Sequence, residues 1–416
     1  MSFMRTVPYM GVIHVVAEAA KLGFRNGHPD WCNLGQGQPE VGPLAGAPPR
    51  ISELVMAASD HAYGPINGGD DLREAVAARY NRLYRKGKAS QYTPDNVAIV
   101  AGGRLALSRV FAALGEIAIG YQTPDYTAYE DLLEYHQHRF RPVHCGMTEA
   151  EGFRISPERL EREVEAHQLC AFLLSNPCNP TGEVISGEDL AAYVDIGRRR
   201  DCLMIFDEFY SHYVYDLEEQ SVSAASCIED VEKDPVLLLD GLTKNFRYPG
   251  WRVGWIVGPS ELIEIIGRAA SAIDGGPPQP LQRAALTVLE SARADQETQA
   301  VRRAFAAKRA LMRRELEALG VRFPGRGGGT FYLWGSIADL PAPYNDAEAF
   351  FRAALERKVM VVPGAFFDVN PGRRRQGPSP YADWLRFSYG PPLENVELGL
   401  GRLRQMMGSA QNAVWV

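Results

Sequence analysis

The chain has no C-x-x-C pair, and its six cysteines (Cys32, Cys145, Cys170, Cys178, Cys202 and Cys227) lie scattered over 416 residues. That scatter argues against a disulfide scaffold or a structural zinc site, and for reduced thiols in a cytoplasmic protein. An excess of positive charge is also missing. The net charge of −7 argues against general nucleic-acid binding, and the triplets Arg198–Arg200 and Arg373–Arg375 read as short solvated faces. No segment is apolar for long enough to span a bilayer. The opening MSFMRTVPYMGVIHVV lacks the basic start and cleavable apolar stretch of a leader. There is no internal repeat and no low-complexity tract. His136 and His138, two apart, would face different ways on a helix, so no metal site is expected.

What is present suits a globular enzyme. Hydrophobic residues make up 46% and charged residues 23%, and the length calls for two lobes rather than one simple core. Short apolar runs at Val97–Ala101, Ala171–Ser175, Leu203–Glu208, Val236–Gly241 and Val253–Gly258 read as buried strands. Between them lie amphipathic stretches such as SGEDLAAYVDIGRRR, where Ser186 is placed to N-cap and Asp189 to complete a capping box. Continuous apolar strands alternating with helices indicate an α/β fold, a three-layer sandwich around a mostly parallel sheet. From about Pro280 to Gly320 the text is helical, with a break expected near Asp295. GGGTFYLW and WLRFSYG then read as strands of a smaller α+β domain.

Ligands of open parallel sheets bind beyond the carboxyl ends of the strands. Four such ends carry unusual residues. Gly102, Gly103 and Arg104 open a helix and suit a phosphate; the plain alternative is a tight strand-to-helix turn. SNPCNPTG (Ser175–Gly182) follows the second apolar run. Asp207 and Tyr210 stand just past the third, where an acid can also be a simple helix cap. Lys244 follows the fourth, with Pro-Gly and Arg252 behind it. A lysine in a loop is usually solvated, but partial burial at a strand end lowers its pKa and gives an amine fit for a Schiff base.

Together these motifs resemble the class I/II aminotransferases, fold type I enzymes of the aspartate aminotransferase kind that depend on pyridoxal 5′-phosphate (PLP). The resemblance rests on NPCNPTG, on Asp207-x-x-Tyr210, and on Thr243-Lys244 followed by Pro-Gly-x-Arg252. It extends to LGQGQPE (Leu34–Glu40), YGPINGGDDLREAV (Tyr63–Val76), TPDYTAYE (Thr123–Glu130) and RFSYG (Arg386–Gly390), and so covers nearly the whole chain in the family's order.

The resemblance implies a role for each matched residue. Lys244 would carry the cofactor and move the proton between Cα and C4′. Asp207 would keep the pyridine nitrogen protonated. Asn179 and Tyr210 would hydrogen-bond the phenolate O3′, with Asn176 structural. Tyr126 would stack on the ring, unless it is ordinary aromatic packing. Gly102, Gly103, Arg104, Thr243 and Arg252 would seat the phosphate. Arg386 would hold the substrate α-carboxylate, with the Gly37 amide nearby. Tyr63 would reach the phosphate of a neighbouring subunit, which makes a homodimer the working unit. The expected division is 1–45, an N-terminal segment packing with the small domain; 46–290, a large PLP-binding domain; and 291–416, the small domain.

Two positions depart from the family pattern. Gly241 stands where a serine is common, and Arg104 replaces a small hydroxyl or amide residue; it would either add charge to the phosphate seat or point to solvent. Cys178 fills the variable position of NPCNPTG.

The activity these features imply is transfer of an amino group between an L-amino acid and a 2-oxo acid. The competing reading is a same-fold PLP enzyme that eliminates, decarboxylates or cyclises; a PLP-binding regulator would need a DNA-binding domain that has no room ahead of LGQGQPE. SAIDGGPPQP (Ser271–Pro280) has no basic residue and offers Asp274. In dicarboxylate-specific members of the family the matching stretch brings a second arginine from the neighbouring subunit. Here Asp274, with Glu18 of the N-terminal segment, is expected instead to form an acidic gate that disfavours aspartate and favours neutral or basic side chains, unless both face water or Arg104 or another base reverses the sign.

Overall fold

The computed structural model describes residue 3, residues 11–408 with their side chains, and the backbone of residues 409–413. Residues 1–10, part of the stretch read for a leader, lie outside the described residues apart from residue 3.

A seven-stranded sheet forms the centre. Its strands are β1 (Val97–Val100), β2 (Ile117–Thr123), β3 (Phe140–Gly146), β4 (Ala171–Ser175), β5 (Leu203–Asp207), β6 (Val236–Gly241) and β7 (Gly254–Val257). They lie in the order β1-β7-β6-β5-β4-β2-β3. Only β7 runs antiparallel to its neighbours, β6 and β1. Every residue of β1, β4, β6 and β7 is buried, as their mostly apolar text requires of strands covered on both faces, with Ser175 and Asp240 the polar residues near the carboxyl ends of β4 and β6. The strands β2 and β3 were not legible as apolar runs. β3, FRPVHCG, carries a proline and an exposed arginine and lies at the sheet edge, where both are tolerated. β2 contains Gly120, where a Cβ would fall 2.6 Å from the Phe172 ring and 2.7 Å from the Leu169 side chain. Packing against β4 thus demands the glycine that interrupts the pattern.

Two local expectations are corrected. Ser186 stands at the N-cap of the helix Gly187–Arg200, but its side chain makes no capping bond. Asp189 is drawn off instead to Arg154, 2.6 Å away. The long helical stretch breaks at Glu290, whose backbone is extended (ψ 126°), between helices Gln279–Leu289 and Ser291–Ala318. Asp295 lies inside the second helix, paired to Arg82 at 2.8 Å.

Beyond that helix a three-stranded sheet forms from β8 (Tyr332–Ser336), β9 (Val362–Pro363) and β10 (Trp384–Ser388), in the order β9-β10-β8. The N-terminal segment joins this part of the molecule: Cys32–Asn33 pairs in parallel with Val359–Met360. Among the described residues no helix is long and apolar enough to cross a membrane.

Candidate active site

The carboxyl ends of β1, β2, β4, β5 and β6 open into one cavity of about 890 Å³, closed on the far side by β8, β10 and the N-terminal segment. Gly37, Gly103, Arg104, Tyr126, Asn179, Asp207, Tyr210, Thr243, Lys244, Arg252 and Arg386 all line it. These residues come from both ends of the chain.

Lys244 sits in the single helical turn Leu242–Asn245 directly after β6. Its Nζ donates to the Gly37 carbonyl. Burial, aided by the guanidinium groups of Arg386 and Arg252 and opposed by Asp207, brings the ammonium down to about 7. Asp207 ends β5. Burial pushes its carboxyl up to about 6, against the pull of the Tyr129 hydroxyl and the Phe209 amide; the hydroxyl donates to Oδ2 at 3.0 Å and the amide to Oδ1 at 3.4 Å.

The SNPCNPTG knot divides its labour. Asn176 is structural: its amide donates to the Ile185 carbonyl at 2.9 Å and its Oδ1 accepts the Ile185 N–H at 2.8 Å. Asn179 faces the cavity, and its Oδ1 accepts from Arg386 Nη1 at 2.9 Å. Arg386 is buried; its Nη2 donates to the Gly35 carbonyl at 2.8 Å, and its guanidinium carbon lies 4.0 Å from the centre of the Tyr332 ring. Tyr210 and Tyr332 share a hydroxyl–hydroxyl hydrogen bond of 2.8 Å. Cys178 is buried, with its Sγ near the Pro124 carbonyl and the Gln122 amide, and burial pushes its thiol up.

The residues expected to seat a phosphate gather where β1 meets the helix Gly103–Ala113. Gly102 has φ +90°, and a Cβ there would lie 2.1 Å from Arg252 Nη2. A Cβ on Gly103 would meet the Phe209 ring at 2.7 Å. Glycine at both positions lets Arg252 and the free amides of the helix start converge. Thr243 Oγ1 is buried and has no hydrogen-bond partner among the described residues, although Thr243 lines the cavity. A buried hydroxyl left without a partner fits an absent acceptor such as a phosphate oxygen. The departure at Gly241 also has a cause: a Cβ there would fall 2.5 Å from the Gly254 Cα, so the close approach of β6 to β7 excludes serine. Arg104 lines the cavity at its exposed side, with its Nε donating to the Tyr126 hydroxyl at 3.3 Å.

Four expected residues lie outside the lining. Gly102 stands behind it, beneath Arg252. Tyr63 is fully exposed. Asp274 and Glu18, read as an acidic gate, are each already paired. Asp274 is clamped by the fully buried Arg109, at 2.7 and 3.0 Å; Glu18 pairs with Lys21 at 2.6 Å and Arg352 at 3.3 Å. Their charges are spent on neighbours. Four contributors went unread in the sequence: Tyr129, Tyr332, Asp125 and Ser175. Tyr129 and Asp125 lie within TPDYTAYE and Tyr332 within GGGTFYLW, but nothing in their spacing shows that they converge.

Residues 29–403, nearly the whole chain, match the family described as aminotransferase class I and II. The chain belongs to that family. This aminotransferase is 30% identical over 363 residues to an aspartate/prephenate aminotransferase of Cereibacter sphaeroides, covering 83% of this chain and 86% of that protein. It is 28% identical to a valine–pyruvate aminotransferase of Mycobacterium tuberculosis, covering 97% of each. Among solved structures it resembles an aspartate aminotransferase from Thermus thermophilus with maleate, with a TM-score of 0.79 at 25% identity over 97% of this chain and 100% of that one. As an aminotransferase of this type it is a PLP-dependent enzyme that moves an amino group between an L-amino acid and a 2-oxo acid. The relatives' names do not favour elimination, decarboxylation or cyclisation.

Proposed function

We propose that this aminotransferase carries its cofactor on Lys244 and divides the remaining work among the residues that line the cavity. The observation that carries this reading is the Lys244 amine, brought down to about 7 and facing the same cavity as Asp207, Arg252 and Arg386. Bound PLP supplies an electron sink that eases removal of the Cα proton. Lys244 Nζ would hold the cofactor and, as an amine able to take up a proton near neutrality, would serve as the base facing the substrate Cα. Asp207 holds a proton on the pyridine nitrogen. Asn179 and Tyr210 donate to the phenolate oxygen, and Tyr126 covers the ring face. Gly102, Gly103, Thr243 and Arg252 seat the phosphate. Arg386, already oriented by Asn179 and Gly35, grips the substrate carboxylate as a two-pronged donor.

On the substrate side chain, the pairing of Asp274 and Glu18 with neighbouring cations weighs against an acidic gate. Asp207 is the only carboxylate lining the cavity among the described residues, and with Asp207, Arg252, Arg386 and Lys244 already assigned, Arg104 is the charge left to meet a side chain. That balance favours acidic or neutral side chains over basic ones, and relatives are named for aspartate, prephenate, valine and pyruvate.

The working unit is a homodimer in the cytoplasm. Tyr63 stands fully exposed near Val55 and Met56, also exposed, in a stretch with little regular structure; a partner subunit would cover them, with Tyr63 reaching its phosphate. The free cysteines fit a reducing compartment. The division into 1–45, 46–290 and 291–416 is supported by the pairing of Cys32–Asn33 with Val359–Met360.

The test is chemical. Borohydride reduction of the holoenzyme followed by digestion is expected to leave the pyridoxyl group on the Lys244 peptide. Lys244→Ala is expected to lose that label and at least about a thousandfold in turnover. A label on any other lysine overturns the assignment.

A further inference from the structure

We propose that Asp125 is a positioning residue: a single buried carboxylate that sets, from behind, both the Tyr126 ring and the Asn179 amide that face the cofactor. The proposal rests on the reading that PLP binds in this cavity.

Asp125 follows β2, one residue before Tyr126, and is fully buried. Each of its oxygens receives two donors. Oδ1 accepts the Tyr126 N–H at 2.7 Å and the Ser175 hydroxyl at 2.5 Å. Oδ2 accepts the Gln122 amide at 2.8 Å and the Ser175 N–H at 3.2 Å. The Ser175 hydroxyl in turn accepts the Asn179 N–H at 3.0 Å. Asp125's own N–H reaches the carbonyl of Phe367, another residue of the cavity wall, at 3.1 Å.

A carboxylate has about four acceptor positions, and here four donors occupy them. The hub therefore ties the end of β2 to the end of β4 through one group. It fixes the main chain from which the Tyr126 ring projects and, through Ser175, the main chain from which the Asn179 amide projects. No lysine or arginine pairs with Asp125 among the described residues. Burial pushes its carboxyl up to about 7, so only the hydrogen bonds hold the charged form in place. A buried acid without a cation is costly unless its acceptors are used. Substrate does not reach Asp125, because Tyr126 and Asn179 stand between it and the cavity.

The geometry makes asparagine an informative replacement. An amide nitrogen in the place of Oδ1 confronts the Tyr126 N–H and the Ser175 hydroxyl, and one in the place of Oδ2 confronts the Gln122 amide and the Ser175 N–H, so either way a main-chain bond of the hub is lost. The experiment compares holoenzyme of the native chain with Asp125→Asn and Ser175→Ala. Three readouts are taken: the circular dichroism of the bound cofactor, the midpoint of its absorbance–pH titration, and kcat and KM of the half-reaction. Asp125→Asn is expected to lose about half of the induced dichroism, to move the midpoint by at least about half a pH unit, and to lower kcat about tenfold with KM within about threefold. Ser175→Ala, which cuts only the link to Asn179, is expected to move the midpoint in the same direction by less.

A folded Asp125→Asn with native dichroism and midpoint overturns the proposal. If Asp125→Asn does not fold, Ser175→Ala decides, and a native midpoint there overturns it equally. Failure of the underlying reading shows itself separately, as a native chain that does not carry PLP on Lys244.

Discussion

Asp207 and Asp274 are two carboxylates that the sequence reading sets at the active site, one toward the cofactor and one toward the substrate, and the molecule uses them in opposite ways. Asp274, at the end of the helix Ser260–Ile273, is met face-on by a buried guanidinium and keeps no free charge to offer. Asp207, at the end of β5, receives a phenol and a main-chain amide. Neither donor cancels a full charge, so burial drives its carboxyl up to about 6 and leaves it in want of a cation. A protonated pyridine nitrogen would be that cation. Whether an acid is available to a ligand thus depends on what already donates to it, not on its type or its nearness in sequence.

The largest effect is expected at the strand end. Asp207→Asn cannot balance a pyridinium, and the single-turnover half-reaction should slow at least about a hundredfold while PLP stays bound. A rate within about threefold of the native value would mean that Asp207 resembles Asp274 in being merely structural.

Next in size is Arg386→Lys. Lysine cannot reproduce a two-pronged grip or rest on the Tyr332 ring as a planar group. The KM for amino acid and for oxo acid should each rise about tenfold or more, with the cofactor spectrum unchanged. Steady-state kinetics in both directions checks this.

A third test uses pH. The Lys244 amine is lowered to about 7 by burial and by Arg386 and Arg252. A lowered amine pKa means the neutral, nucleophilic form dominates above that value and is lost below it. The rate of PLP capture by apoenzyme should therefore rise through about pH 7 and level off. A rise centred near the ordinary lysine value would show that the pocket does not depress the amine.

The smallest effect on catalysis is expected at the other acid. Asp274→Asn leaves the buried Arg109 without its counter-charge and should cost about 3 kcal/mol of stability. The ratio of kcat/KM for aspartate to that for lysine should change by less than about twofold, and in the native enzyme aspartate should lead. A preference for lysine that Asp274→Asn abolishes would restore the acidic gate and erase the contrast with Asp207.

Much of this was legible in the chain. The five strands read from apolar runs all form, because a strand buried on both faces is written mostly in apolar residues, with polar ones confined to its carboxyl end. Lys244, Asp207, Asn179 and Arg386 were legible because their chemistry needs particular side chains inside short ordered motifs. β2 and β3 were not, since Gly120 answers to a neighbouring strand and Pro142 to an edge. Tyr129 and Tyr332 escaped for the same kind of reason: each becomes part of the site through a residue distant in sequence, Asp207 in one case, Tyr210 and Arg386 in the other.

By itself the sequence determined the α/β architecture and singled out Lys244 and Asp207 as candidates, since local pattern and reactive side-chain type are properties of short stretches. Tertiary structure alone decided which charges remain free. It paired Arg109 with Asp274 across 165 residues and gathered four donors from the ends of two strands around Asp125. Electrostatic and hydrogen-bond energies depend on distance and burial in space, and separation along the chain reports neither.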